Sequence, residues 1–201
     1  MYFEPSGIYH IYNQGNNRQL IFFNRENYLY FTRKIREQIL PFGNILAWCL
    51  MPNHFHLMVE VDKVTISRDA TSSRTPTNTP PTLSLNHSIG ILLASYTRAI
   101  NGSQQSSGSL FRQKTKAICL NEIKGVTSNW FTSFGVTFLN VQIPEYQYLK
   151  VCFDYIHLNP VKSGLVGKPG DWEFSSFADL HGMRNGSLVN HKRVKELGLI
   201  E

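Results

Sequence analysis

Two apolar runs, near residues 44–50 and 53–61, flank Met51-Pro52-Asn53. Proline and asparagine set turn geometry, so the stretch predicts strand, tight turn, strand. In the second run Phe55, Leu57, Val59 and Val61 face one side of the strand, and His54, His56, Met58 and Glu60 face the other. Upstream, Gly7 to Gly15 is β-branched and aromatic between glycines, which predicts a first strand. The period then becomes helical. Tyr28, Phe31, Ile35 and Ile39 form one stripe of a helix that Asn24 caps, that runs to about Leu40 and that Pro41-Phe42-Gly43 stops. Ile89, Leu92, Leu93, Tyr96 and Ile100 predict a second helix, capped by Ser84 or Asn86 and ended by Asn101-Gly102. Leu110 to Leu120 predicts a strand that alternates Arg112, Lys114 and Lys116 onto one face, a row of cations about 7 Å apart. A last helix, roughly 145–159, carries Leu149, Phe153, Ile156 and Pro160 on a core stripe and Tyr148, Cys152, Tyr155 and Asn159 on another. Val161-Lys-Ser-Gly164 ends it with a left-handed glycine.

Two stretches break the pattern. Residues 71–82 hold no apolar side chain able to anchor a core, so 62–82 is expected to be a flexible loop inside the domain. Residues 121–143 contain Trp130, Phe131, Phe134 and Phe138 and are expected to be an ordered insertion, with no position assigned. Asp171 to Phe177 is an aromatic segment expected to fold back on the body. Residues 181–201 form a basic tail with Arg184, Lys192, Arg193 and Lys195. The order β-α-β-β-α-β-α predicts an α+β fold: the ferredoxin-like plait, an antiparallel sheet with helices packed on one face, plus an extra C-terminal helix, in a single domain over residues 1–180.

Composition narrows the classes. The chain has 201 residues, 42% of them hydrophobic, enough for an ordinary core. It has no apolar run of about 18 residues and no signal-peptide pattern at Met-Tyr-Phe-Glu-Pro, so a membrane span and secretion are not expected. Cys49, Cys119 and Cys152 are far apart and form no paired motif, which fits reduced thiols in a cytoplasmic protein. The net charge of +6 favours polyanionic partners. It is concentrated between Arg98 and Lys124, where Arg98, Arg112, Lys114, Lys116 and Lys124 face one acid, Glu122.

Histidines at i and i+2 on a strand stand side by side, which is a metal-binding arrangement, although an isolated pair is more often structural. Tyr155 and Asn159, one helical turn apart, are neighbours on a helix surface. His54, His56 and the Asn159 amide oxygen would give three neutral ligands for Mg²⁺ or Mn²⁺, or for Zn²⁺, with positions left for phosphate and water. Tyr155 would attack phosphorus there, with the metal offsetting a phenol pKa near 10. A zinc hydrolase using Glu60 is disfavoured, because Glu60 lies too far along an extended strand to share one ion.

His54-Phe-His56 after Trp48-Cys-Leu-Met-Pro-Asn resembles the HUH motif of single-tyrosine transposases. Asp154-Tyr-Ile-His-Leu-Asn-Pro-Val-Lys-Ser-Gly-Leu-Val166 with Asp171-Trp-Glu-Phe-Ser-Ser-Phe177 resembles the C-terminal signature of the REP-associated tyrosine transposase family, and Tyr9 to Gly15 and Ser109 to Lys114 also fit. The resemblance covers most of residues 7–180. It implies a metal-dependent endonuclease and strand transferase acting on single-stranded or hairpin DNA, in a monomer or a homodimer. His54 and His56 carry over as metal ligands, Asn159 as the third and Tyr155 as the nucleophile, with Arg98, Arg112, Lys114 and Lys116 expected along the DNA. The alternative is a domesticated regulatory protein that binds DNA without cutting it.

Overall fold

The computed structural model describes residues 1–67, 82–121, 130–133, 136–139 and 145–201, excepting the side chains of 130–133, 136–139 and 145–147. Strand β1 (Ile8–Gln14) leads through helix α1 (Arg25–Gln38) to the hairpin β2 (Gly43–Met51) and β3 (His54–Val61). A small sheet of β4 (Thr65–Ser67) and β5 (Thr82–Ser84) precedes α2 (Leu85–Ser103), which returns to β6 (Lys116–Cys119). The hairpin β7 (Trp130–Ser133) and β8 (Val136–Leu139), then α3 (Glu145–Lys162), α4 (Phe177–Leu180) and α5 (His191–Glu196), complete the chain.

The central sheet has the order β2-β3-β1-β6, with every described pairing antiparallel. That is the strand order of the split β-α-β-β-α-β plait expected from the sequence. Alternation along β3 sends Phe55 to one face, where it packs 5.2 Å from Phe31 of α1. Phe31 in turn meets Tyr96 of α2 edge-on at 4.8 Å. Helices α1 and α2 therefore cover one face, and α3 covers the other. Local chemistry supports both covering helices. Asn24 accepts from the Asn27 amide to cap α1, and Ser84 accepts from the His87 amide to cap α2. The buried Tyr96 hydroxyl donates to the Ile21 carbonyl at 2.6 Å, tying α2 to the chain before α1.

Some expectations change and others hold. The strand foreseen over 110–120 is regular only at Lys116–Cys119. Before it the Asn13 amide donates to the Arg112 carbonyl, a group that a ladder would otherwise pair, and to Thr115 Oγ1. The loop foreseen over 62–82 begins and ends in β4 and β5, because Ile66 and Leu83 pack against the core; residues 68–81 lie outside the described residues. Within 121–143 the described backbone is the β7–β8 hairpin, and the packing foreseen for its aromatic side chains lies outside the described residues.

Helix α3 runs past the expected end, through Pro160 to Lys162. It stops in a two-bond cap in which Gly164 N donates to Val161 O and Leu165 N to Pro160 O. Gly164 has φ +68, the left-handed conformation that this cap needs. The segment after it folds back along β2, as expected. Leu50 N donates to Phe174 O, and the Trp172 indole donates to Leu50 O. Val189, Val194 and Leu199 of the last twenty residues are buried in the same core.

Candidate functional site

The β2–β3 turn, the end of β1 and the C-terminal half of α3 meet at one end of the sheet, on the face that α3 covers. Register sets what they bring. His56 stands opposite Tyr12 of β1 and Cys49 of β2, and His54 opposite Gln14 and Met51. The His54 and His56 rings are 4.9 Å apart and nearly perpendicular. Asn159, fully buried on α3, reaches both: its Oδ1 lies 3.3 Å from His54 Nε2, and its Nδ2 lies 3.2 Å from His56 Nε2.

The surrounding hydrogen bonds place the imidazole protons. Asn53 Nδ2 donates to the Arg18 carbonyl, which turns Asn53 Oδ1 toward His54 Nδ1 at 2.6 Å. An amide oxygen only accepts, so His54 carries its proton on Nδ1 and presents a lone pair at Nε2. Asn159 Nδ2 donates to His56 Nε2, which puts the His56 proton on Nδ1, donated to His10 Nε2 at 2.9 Å. Burial holds the His54 ring below its ordinary pKa and His56 well below it, and lowers His10 to about 3. At neutral pH all three rings are uncharged, the state that ligates metal.

The donor set fits a divalent cation. His54 Nε2 and Asn159 Oδ1 lie 3.3 Å apart, and both would serve as donors to a divalent cation. His54, His56 and Asn159 would hold that ion, with His10 and Asn53 orienting the two rings from behind. Among the described residues no group of three His, Cys, Asp or Glu is placed to hold a metal, so a third ligand at the two histidines would have to be of another kind, such as the Asn159 amide. Glu60 lies at the far end of β3, where the Arg193 guanidinium and the Asn44 amide take its carboxylate.

Tyr155 comes to the same place. Its ring meets His56 edge-on at 5.3 Å and His10 at 6.1 Å, and Lys162 Nζ sits 5.6 Å from its centre. The far side of α3 is pinned by His157, whose Nε2 is 2.7 Å from Ser176 Oγ and whose ring packs 4.5 Å from Phe153. Ser176 is bonded in turn to the Trp48 amide and carbonyl of β2, so the helix is fixed to the sheet that bears the histidines.

His54, His56 and Tyr155 open into a cleft of about 960 Å³, lined also by Arg18, Arg112, Lys114 and Lys116 and, among the described residues, by no carboxylate. The side chains of these four cations make no ion pair or hydrogen bond among the described residues. Arg98 lies elsewhere, on α2 in a shallower groove that shares Arg112 with the cleft. Two residues of the site escape a sequence reading. His10 is a single histidine in a β-branched strand, and only the β1–β3 register brings it to His56. Arg18 sits in a short turn whose aim no periodicity encodes.

The sequence matches no protein-family model and no curated protein sequence. Its structure is similar to that of the REP-associated tyrosine transposase bound to a REP hairpin, with a TM-score of 0.53, 17% identity and 94% of each chain covered. At that identity the likeness is one of fold, and the chain shares the α+β fold of that transposase.

Proposed function

We propose that the protein is a metal-dependent endonuclease and strand transferase for single-stranded, hairpin-bearing DNA, working through a phosphotyrosine. The observation that carries this reading is a single cleft, free of carboxylates among the described residues, that holds His54 and His56, Tyr155 and the cations Arg112, Lys114 and Lys116. The solved transposase of the same fold is bound to a hairpin, which agrees with the substrate class.

Each group has a task in this reaction. Arg112, Lys114 and Lys116 neutralise successive phosphates and lay the strand along the cleft floor. His54, His56 and Asn159 bind Mg²⁺ or Mn²⁺. The ion, when bound, withdraws charge from the scissile phosphate. Tyr155 is held by α3 so that its oxygen reaches that phosphorus. The bond from Tyr155 Oη to phosphorus forms as the bond from phosphorus to one deoxyribose oxygen breaks. The phenolic proton ends, in net terms, on the released deoxyribose hydroxyl. The new ester keeps the energy of the broken phosphodiester, so a second hydroxyl can reverse the step and complete strand transfer.

The test is a covalent adduct. Incubation with Mn²⁺ and a hairpin-bearing single strand should give a DNA-linked protein that survives denaturing electrophoresis and that Tyr155→Phe abolishes. An adduct retained by Tyr155→Phe would remove the nucleophile assignment. Tight binding with no adduct under Mg²⁺ or Mn²⁺ would leave a DNA-binding protein that does not cut.

A further inference from the structure

We infer that the Gly15–Gln19 turn is a base-reading element, with Arg18 as the side chain that selects the nucleotide beside the scissile phosphate and guanine as the base it fits. This rests on the reading of the cleft as a DNA site and adds the source of its sequence preference.

Three observations carry it. The first is strain. Asn17 and Arg18 are consecutive non-glycine residues in the left-handed region, at φ +51 and +60. Such conformations persist only where the surroundings impose them, and they cluster at functional sites. The surroundings here do impose them. Gly15 N donates to Asn53 O, Asn16 N and the Gln19 side chain donate to Leu110 O, and the Asn16 side chain donates to Ser109 O. A Cβ on Gly15 would fall 2.3 Å from the Gln19 carbonyl, so only glycine closes the turn. The turn is thus a fixed pedestal.

The second is what the pedestal presents. The Arg18 guanidinium is exposed, lines the cleft and has no partner among the described residues. Beside it stand Gln14, Asn53 and the half-exposed Leu20. Arg112, Lys114 and Lys116 lie on a different segment, one suited to phosphates. Arginine with amides and an apolar side chain is the chemistry of base edges. A guanidinium matches guanine O6 and N7 with two parallel hydrogen bonds.

The third is coupling to the reaction centre. Asn53 Nδ2 donates to the Arg18 carbonyl while Asn53 Oδ1 accepts from His54 Nδ1. A single amide connects the turn to a proposed metal ligand, which puts the base being read on the side of the cleft next to the proposed reaction centre.

The experiment measures fluorescence-anisotropy affinities of the full chain for hairpin-bearing strands that differ by one base at each position flanking the cleavage site. The parent should favour guanine at one position by about tenfold, within the range of a good bidentate contact. Arg18→Ala should erase that preference, weakening the guanine-bearing strand about tenfold more than the others. Arg112→Ala should weaken every strand alike. Equal thermal midpoints for the parent and Arg18→Ala would show that the fold is intact. A guanine preference that survives Arg18→Ala, or a uniform loss for all strands, overturns the inference while leaving the cleft reading in place. A parent that binds no strand overturns the cleft reading and this inference with it.

Discussion

The proton on His54 is fixed by Asn53, and the proton on His56 by His10. Neither orienting residue is a proposed metal ligand, yet both bear on which nitrogen is bare. Residues of this kind typically change metal affinity by 10–100-fold. His10→Phe leaves the buried His56 Nδ1 proton without an acceptor, so calorimetric Mn²⁺ affinity should fall by about that range, while His10→Gln, which restores an acceptor, should recover most of it. Equal affinity in the parent and His10→Phe would deny His10 a positioning role. At this scale the sequence is legible only in part. His54 and His56 are visible because strand alternation is local and puts both on one face. Tyr155 and Asn159 are visible because helical spacing is local too. His10 is not, because its partner lies 46 residues away and is chosen by the β1–β3 register. Arg18 is not, because a left-handed turn leaves no periodic trace in Gly15-Asn16-Asn17-Arg18.

Among the elements, α3 concentrates the chemistry, since it supplies both Tyr155 and Asn159 to histidines of the same chain. The edge-on approach of Tyr155 to His56 at 5.3 Å makes an active site assembled within one chain the direct expectation. Mixing Tyr155→Phe with His56→Ala should therefore fail to restore adduct formation, as read on a denaturing gel. Restored adduct in the mixture would mean that the tyrosine serves another copy. The helix also shows what pattern reading resolves and what it blurs. The left-handed Gly164 stop is the one the sequence predicts, while the helical range, expected to end near residue 159, extends through Pro160 to Lys162. Proline costs a hydrogen bond and crowds the preceding turn, but it does not by itself end a helix whose both sides are packed. The segment before β6 is the converse case. Alternating Arg112, Lys114 and Lys116 has the pattern of a strand, but Asn13 binds the backbone at Arg112 and the hydroxyl of Thr115, and the ladder starts only at Lys116.

Over the whole molecule the net charge of +6 matters less than its distribution. Several cations elsewhere are paired: Arg184 with Asp179, Arg193 with Glu60, Arg25 with Glu173 and Lys150 with Asp154. Those lining the cleft are not paired among the described residues. Binding of single strands should weaken steeply with salt, with a log–log slope of about −0.7 for each phosphate neutralised. Arg112→Ala should make that slope shallower by roughly one such increment, measured between 50 and 200 mM KCl. A slope unchanged by Arg112→Ala would place the polyanion elsewhere. The plait itself was readable in advance because its order of strands and helices follows from local periods and short connections. The β4–β5 pairing was not, because two three-residue strands flanking a long polar stretch give no period to detect.

The histidines, the tyrosine and the amide come from residues 54 to 159, and the last two arrive together on α3. On the proposed reading a nascent chain that has not yet released α3 from the ribosome has neither nucleophile nor third ligand. Translation products that stop short of α3 would then be harmless to the genome, because the capacity to break a strand would appear only once that helix had been made.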